Sequence, residues 1–451
     1  MELRGNRVVI IGLGETAVAL ARLLLQCGAR PFVSESGPGK PALCAALDGL
    51  GVAYETGRHT DRAIDGADLC VPSPGVPLDA IPLREIRARG VPVLGELEVA
   101  SWHCHSRVLA VTGTNGKTTT TELLRAMVSA CRLSVLLAGN NALPFSAAVM
   151  AEPIPEFIVL EVSSYQLEAA ASFRPWIGCV LNLTPDHLAR HKTMEGYAAA
   201  KARLFAFQRE GDIAVLNEDD PWVAPMQTRP GVERAGFSLE RPVAAGVWFD
   251  GRVYRWGSEQ VAAAADSPLP GRHNAQNIAA ALAMMRAGAF PQEDVLAGLR
   301  AFQGVEHRIE YVATVDGVDY FNDSKSTNID SLRVALESFA RPVVLIAGGR
   351  GKGSSYSVLG PLVQARVKAI ITLGEDAARI EDELGPFAPT TRAADMEDAV
   401  ARARARAAAG DALLLSPACA SFDRYKSFEE RGRHFKACVR AIASRAHTEE
   451  V

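Results

Sequence analysis

Val108-Leu109-Ala110-Val111 runs directly into Thr112-Gly113-Thr114-Asn115-Gly116-Lys117-Thr118-Thr119-Thr120, and a helical pattern follows. A short apolar run bounded by a glycine turn and then by helical spacing reads as a strand–loop–helix unit. The glycines let backbone N–H groups close around phosphate oxygens, and Lys117 adds a point charge for the β- and γ-phosphates. The next helix aims the positive end of its dipole at them. Thr118 is placed to reach Mg²⁺ through its hydroxyl. A strict pattern asks for glycine where this chain has Val111, so the assignment rests on the strand before and the helix after.

The same alternation recurs outward from this unit and predicts parallel sheets with crossover helices. Upstream, strands are expected at Arg7–Ile11, Pro31–Val33, Asp68–Val71 and Val91–Leu94, with a helix from the Gly12 turn through about Gln26. The sheet opened by Val108 continues with Phe157–Val162, Ile177–Leu181 and Ile213–Leu216, and a third block holds Val343–Ala347, Ala369–Leu373 and Ala412–Leu415. The fold class is α/β in three domains: a Rossmann-like domain over 1–98, a central P-loop ATPase domain over 99–304 and a second Rossmann-like domain over 305–451. A chain of 451 residues agrees with three domains of about 150 residues each. Ala262–Ala265 and Ala401–Ala409 read as solvent-facing helix or loop.

With 48 basic and 52 acidic residues the formal charge is −4, which offers no basic footprint for nucleic acid or an anionic membrane. The eight cysteines are scattered without a C-x-x-C pair and read as reduced, mostly buried thiols of a cytoplasmic protein. Arg4 and Arg7 precede the apolar run Val8–Ile11, but that run breaks at Gly12 too early for a signal peptide.

Three further constellations carry chemistry. Phe157–Glu161 is a buried strand with a carboxylate at its C-terminal end, where ligands of open parallel sheets gather. Cys179–His187 ends another strand with Asp186 and an imidazole. Gly12-x-Gly14-x-x-Ala17 with Glu35 about twenty residues on is a dinucleotide fingerprint, so a nicotinamide-dependent oxidoreductase stays open at this level. A nucleotide-gated binding protein that hydrolyses ATP slowly is a non-enzymatic alternative. His103-Cys104-His105 lacks the further partners a structural metal needs.

Thr112–Thr119 resembles the nucleotide loop of the Mur ligases and their relative folylpolyglutamate synthetase, ATP-dependent ligases that join an amino acid to a carboxylate. On that resemblance Gly113, Thr114, Asn115, Gly116, Lys117, Thr118 and Thr119 bind ATP. Asn274 and Asn277, in Gly271-Arg272-His273-Asn274-Ala275-Gln276-Asn277, lie near the adenine. Arg308, after the hinge at Gly304, approaches the phosphates, and Asp323 the ribose. Glu161-Val162-Ser163-Ser164 is similar to the segment whose glutamate holds Mg²⁺. Lys201, by itself a surface lysine on a helix, becomes a carbamylated lysine that binds a second Mg²⁺ with His187. Thr118, Glu161, His187 and Lys201 are thus the implied metal ligands, and Lys117, Glu161, His187 and Lys201 the implied catalytic residues. Where the family usually has aspartate, this chain has Ala189. The base that takes the amine proton stays unassigned, since His187 in that role would conflict with metal ligation.

The resemblance extends to branch level. No Asp-Asn-Pro-Arg segment is present, whereas Leu414-Leu415-Ser416-Pro417-Ala418-Cys419-Ala420-Ser421-Phe422-Asp423 with Phe428-Glu429-Glu430-Arg431-Gly432 is similar to the D-glutamate-adding branch. That branch surrounds D-glutamate with the positions of Thr327, Lys352, Ser421, Phe422 and Phe428. Gly14, Glu35, Ser36, Ser73 and Gly75 would face the UDP end of UDP-N-acetylmuramoyl-L-alanine, and Asn140 is a further implied substrate contact. Implied partners are those two small molecules, ATP and Mg²⁺, with no nucleic acid or membrane, acting on a monomer. Substrates held by separate domains imply closure about the hinge near residue 304.

Overall fold

The computed structural model describes residues 2–140, 143–269, 271–339, 341–351 and 353–449. Strands β1 (Arg7–Ile11), β2 (Arg30–Ser34), β3 (Ala53–Glu55) and β4 (Leu69–Pro72) form a parallel sheet in the order β3-β2-β1-β4. The expected strand Val91–Leu94 is reduced to a single bridge between Val93 and Cys70. Pro92 in this segment has no N–H to donate, which limits the ladder there.

The second sheet comprises β5 (Arg107–Thr112), β6 (Val135–Gly139), β7 (Phe157–Glu161), β8 (Ile177–Val180), β9 (Ile213–Asn217), β10 (Glu233–Ser238), β11 (Gly246–Phe249), β12 (Val253–Trp256) and β13 (Glu259–Ala263). Their order is β13-β12-β11-β10-β9-β8-β5-β7-β6, all pairs being parallel except β11–β12 and β12–β13 at one edge, which are antiparallel. Central β5, β7 and β8 are almost wholly buried and show continuous apolar runs, the signature of strands covered on both faces. Ala262 is a buried strand residue, not the exposed helix or loop expected of an alanine run, because β13 pairs with β12 and turns its face inward.

The third sheet has β14 (Glu310–Val315), β15 (Val318–Asn322), β16 (Val343–Ala347), β17 (Val367–Thr372), β18 (Thr390–Arg392) and β19 (Ala412–Leu415) in the order β14-β15-β19-β16-β17-β18. All pairs but β14–β15 are parallel. Ala403, like Ala399, faces the core, while Ala401 and Ala405 on the same helix Met396–Arg406 are exposed.

The chain divides into two compact units, residues up to Pro268 with Ala275–Phe302, and Leu269–Asn274 with Gln303 onward. The first unit holds two sheets, and the short helix Glu96–Ser101 joins them. Buried Glu98 accepts hydrogen bonds from the N–H groups of Ala171, Ser172 and Phe173 at 2.7–2.9 Å and from the Trp102 indole at 2.9 Å. A carboxylate with that many donors is stabilised in its charged form despite burial, and they hold its pKa below the usual range. Of the eight cysteines, Cys70, Cys179 and Cys419 are buried and the other five only half-buried, fewer than expected; all are free thiols. No described helix is long and apolar enough to cross a membrane.

Candidate active site

β5 delivers the chain into Gly113–Gly116, and the helix Lys117–Ala130 begins at once. Gly116 has φ +84°, and a Cβ there would meet Asn277 Oδ1 at 2.2 Å, so the turn admits only glycine. The loop is clamped from the end of β8: Asn115 N–H donates to Asn182 Oδ1 at 2.8 Å, and Thr114 N–H to Asn182 O at 2.9 Å. The Lys117 ammonium lies over the loop, 2.9 Å from Gly113 O and 2.8 Å from Thr114 O. Thr119 packs into the buried face of the helix.

Parallel pairing sets Val111 beside Glu161 and carries that carboxylate to the loop. Thr118 Oγ1 donates to Glu161 Oε2 at 2.9 Å, and Asn140 Nδ2 donates to Glu161 Oε1 at 3.1 Å. A hydroxyl and a buried carboxylate side by side are the hard oxygen donors that suit Mg²⁺. Asn140 therefore lies beside the Glu161 carboxylate.

Lys201, on the helix Met194–Ala202, is 1% exposed. Its Nζ donates to Gly113 O at 2.9 Å and Thr112 Oγ1 at 3.1 Å and lies 4.9 Å from the centre of the Tyr197 ring. Burial drives its pKa well below the ordinary lysine range; the nearby Lys117 charge adds to this, against the pull of Asp186 and Glu161. The amine is thus shifted towards its neutral, nucleophilic form, as carbamate formation with CO₂ requires. His187, in the left-handed conformation at φ 56°, lies between the Tyr165 and Tyr197 rings, with Tyr165 Oη 3.1 Å from its Nδ1. Burial holds its pKa below the usual range; Lys201 and Lys117 act in the same sense and Asp186 opposes them. A neutral imidazole is the form that ligates a metal.

Residues 188–191 form one helical turn beside this centre. Arg190 donates through Nε and Nη2 to Glu168 Oε2 at 2.9 and 2.7 Å, and through Nη1 to Pro74 O and Val76 O at 3.3 Å. Glu168 also lies 3.1 Å from His191 Nδ1, and His191 Nε2 is 2.9 Å from Ser164 Oγ. Ala189 is exposed, outside this network. The sequence reading missed Asn182, Tyr165, Tyr197 and the Arg190–Glu168 pair; Asn182, a polar residue closing the apolar run of β8, was the legible signal among them.

At the first sheet, the Gly12 turn approaches Ser73, whose Oγ donates to Gly12 O at 3.2 Å. Glu35 accepts from Leu13 N–H at 2.8 Å and Gly37 N–H at 2.7 Å, with Ser36 Oγ at 3.2 Å. Those backbone donors lower its pKa although burial opposes them. Gly14 caps the helix Glu15–Gln26 with open space beside it, and Gly75 is likewise unobstructed.

The second unit gathers its own set. Asp323, at the end of β15, receives Ser416 Oγ at 2.7 Å and Ile309 N–H at 3.2 Å. Burial raises its pKa to about 7, against the lowering influence of Ser416 and of the Arg308 charge. Burial depresses His273 to about 4, and the Arg308 charge adds to this, which puts Arg308 near the first turn of the helix Arg272–Ala287, which carries buried Asn274. Arg431, buried, donates to Ser324 Oγ and O at 2.9 and 2.8 Å and to Cys419 O at 3.1 Å. It thereby ties Ser324, three residues before Thr327, to the segment ending in Ser421. Phe428 meets Lys325, with Nζ 5.9 Å from the ring centre, while Phe422 is 64% exposed. Gly349 has φ 135° and approaches Ala420 O so closely that a Cβ would lie 2.3 Å away. Lys352 lies outside the described residues.

Residues 6–95 match the MurD-like N-terminal domain of Mur ligases, 111–285 the Mur ligase middle domain, and 307–419 the Mur ligase glutamate ligase domain. The chain is 42% identical over 450 residues to a UDP-N-acetylmuramoylalanine–D-glutamate ligase of Koribacter versatilis, covering 98% of this chain and 99% of that one. It is 43% identical over 461 residues to the protein of the same name in Salinibacter ruber, again covering 98% and 99%. Among solved structures it shares the fold of a pseudomurein peptide ligase type C from Methanothermus fervidus, with TM-score 0.60, 17% identity and coverage of 97% and 100%. With a phosphate loop whose threonine touches a buried glutamate, a buried lysine beside it and similarity along almost its whole length, the chain belongs to the Mur ligases, enzymes that form amide bonds at the cost of ATP.

Proposed function

We propose that this ligase joins D-glutamate to UDP-N-acetylmuramoyl-L-alanine. The reading is carried by the convergence of Thr118, Glu161 and buried Lys201 on one phosphate loop, in a chain whose relatives over 98% of its length bear that activity in their names. A carboxylate oxygen of UDP-N-acetylmuramoyl-L-alanine attacks the γ-phosphorus of ATP in line, the bond to the β,γ-bridging oxygen breaks, and ADP leaves with its electron pair. The D-glutamate amine nitrogen then attacks the acyl phosphate carbonyl, and the tetrahedral species loses an amine proton and expels phosphate to leave the amide.

The loop N–H groups and Lys117 hold the phosphates and offset their charge. Thr118, Glu161, His187 and a carbamylated Lys201 would hold Mg²⁺ at two positions. When bound, that ion screens the repulsion between the attacking carboxylate and the γ-phosphate. The donor set fits it: Thr118 and Glu161 supply oxygens, His187 is held neutral, and the depressed basicity of Lys201 favours carbamylation. Asn274, Asn277, Arg308 and Asp323 would contact the nucleotide. Gly14, Glu35, Ser36, Ser73 and Gly75 would face the UDP moiety, and Thr327, Lys352, Ser421, Phe422 and Phe428 the D-glutamate. The three functional domains would divide near residues 98 and 304, in a monomeric cytoplasmic enzyme.

An ADP-release assay with UDP-N-acetylmuramoyl-L-alanine and ATP tests the reading. ADP production should depend on D-glutamate and stay at background with L-glutamate or diaminopimelate. Equal turnover with diaminopimelate would refute the substrate assignment.

A further inference from the structure

Away from the proposed active site, three unlike donors converge from two helices of the second unit. Glu397 lies in the first turn of the helix Met396–Arg406, and His434 and Cys438 lie on the helix Phe428–Glu449. Their i, i+4 spacing puts imidazole and thiol on one helix face. The carboxylate oxygen, ring nitrogen and sulfur all lie within 4.8 Å of one another.

Both nitrogens of His434 are engaged. One, Nε2, is 2.8 Å from Glu397 Oε1, while Nδ1 is 3.0 Å from Tyr425 Oη. A histidine ligand is typically oriented in this way, one nitrogen aimed at the ion and the other fixed by an outer partner. An ordinary ion pair accounts for His434 and Glu397 alone and does not require a thiol at the same point. Burial, together with the negative charge of Glu397 and Asp395, pushes the Cys438 thiol up to about 11, so a bound cation would have to displace its proton.

We propose that Glu397, His434 and Cys438 form a binding site for a zinc-class divalent cation, with a fourth position open to water. Sulfur, nitrogen and oxygen together select zinc over Mg²⁺ or Ca²⁺, which take oxygen ligands. The consequence is mechanical. One turn before His434, Arg431 ties this helix to Ser324 and Cys419, so a bound cation would fasten the helix that also carries Phe428.

The test is a titration of the full chain, kept saturated with Mg²⁺, first with Co²⁺ and then with Zn²⁺. The absorption spectrum should gain a thiolate-to-cobalt charge-transfer band with about one equivalent of Co²⁺, and Zn²⁺ should abolish it by displacement. Cys438→Ser should lose the band while D-glutamate-dependent ADP release continues. Glu397→Gln, at an exposed position, should weaken Co²⁺ binding roughly tenfold or more. A wild-type chain without the band, or a band that survives in Cys438→Ser, overturns the site. Unchanged Co²⁺ affinity in Glu397→Gln overturns the three-ligand assignment.

Discussion

Lys201 shows how far a single residue can differ from its local sequence. In Tyr197-Ala198-Ala199-Ala200-Lys201 it has the look of a solvated helix lysine, yet it is buried against Gly113 O and Thr112 with its basicity suppressed. Lys201→Ala should cost at least about a hundredfold in ligation rate by removing an implied metal ligand, with formate or acetate restoring part of it. Steady-state ADP release with and without the added acid measures this, and full activity in the plain mutant would remove Lys201 from the site. Asp323 makes a prediction about stability. Its carboxyl titrates near 4 when unfolded and near 7 when folded, because burial disfavours the anion. Between those values the folded chain keeps a proton that the unfolded chain has released, so stability falls as pH rises through the window, by on the order of 4 kcal/mol. Denaturant midpoints at a series of pH values should show that slope for the wild type and a flatter one for Asp323→Asn.

At the scale of elements, the turn Leu188–His191 connects two ligand regions that the sequence presents separately. Arg190 pairs with Glu168, which in turn reaches His191, and it also holds the carbonyls of Pro74 and Val76 at the end of the first sheet. Arg190→Ala should therefore raise KM for UDP-N-acetylmuramoyl-L-alanine about tenfold or more, and KM for ATP much less, since only the former is proposed to face the Ser73–Gly75 loop. Varying each substrate in turn at saturating levels of the others checks it; equal changes would place Arg190 outside that coupling. The central strands were legible because β5, β7 and β8 are covered on both faces and so carry unbroken apolar runs. Strands such as β11 and β12, next to the β13 edge, were not, because each is four residues long and only partly buried, so no long apolar run emerges. Short β3 and β18 have too few residues for any period to emerge.

For the whole molecule, two compact units with separate cores imply two unfolding transitions in calorimetry. UDP-N-acetylmuramoyl-L-alanine, whose implied contacts all lie in the first unit, should raise one transition and leave the other in place. At a hundredfold excess over Kd the gain is about 2.7 kcal/mol. A single transition that shifts as one would show that the units unfold together. By itself the sequence determined the α/β class, the phosphate loop, the carboxylate ending β7 and the family, since each rests on residues adjacent in the chain, where local backbone geometry dictates the outcome. Only the tertiary structure decided that Thr118 touches Glu161, that Lys201 is buried beside the loop and that Arg190 spans to the first sheet. Those pairings join residues 43 to 116 positions apart, and strand register and helix packing, not local propensity, bring such residues together.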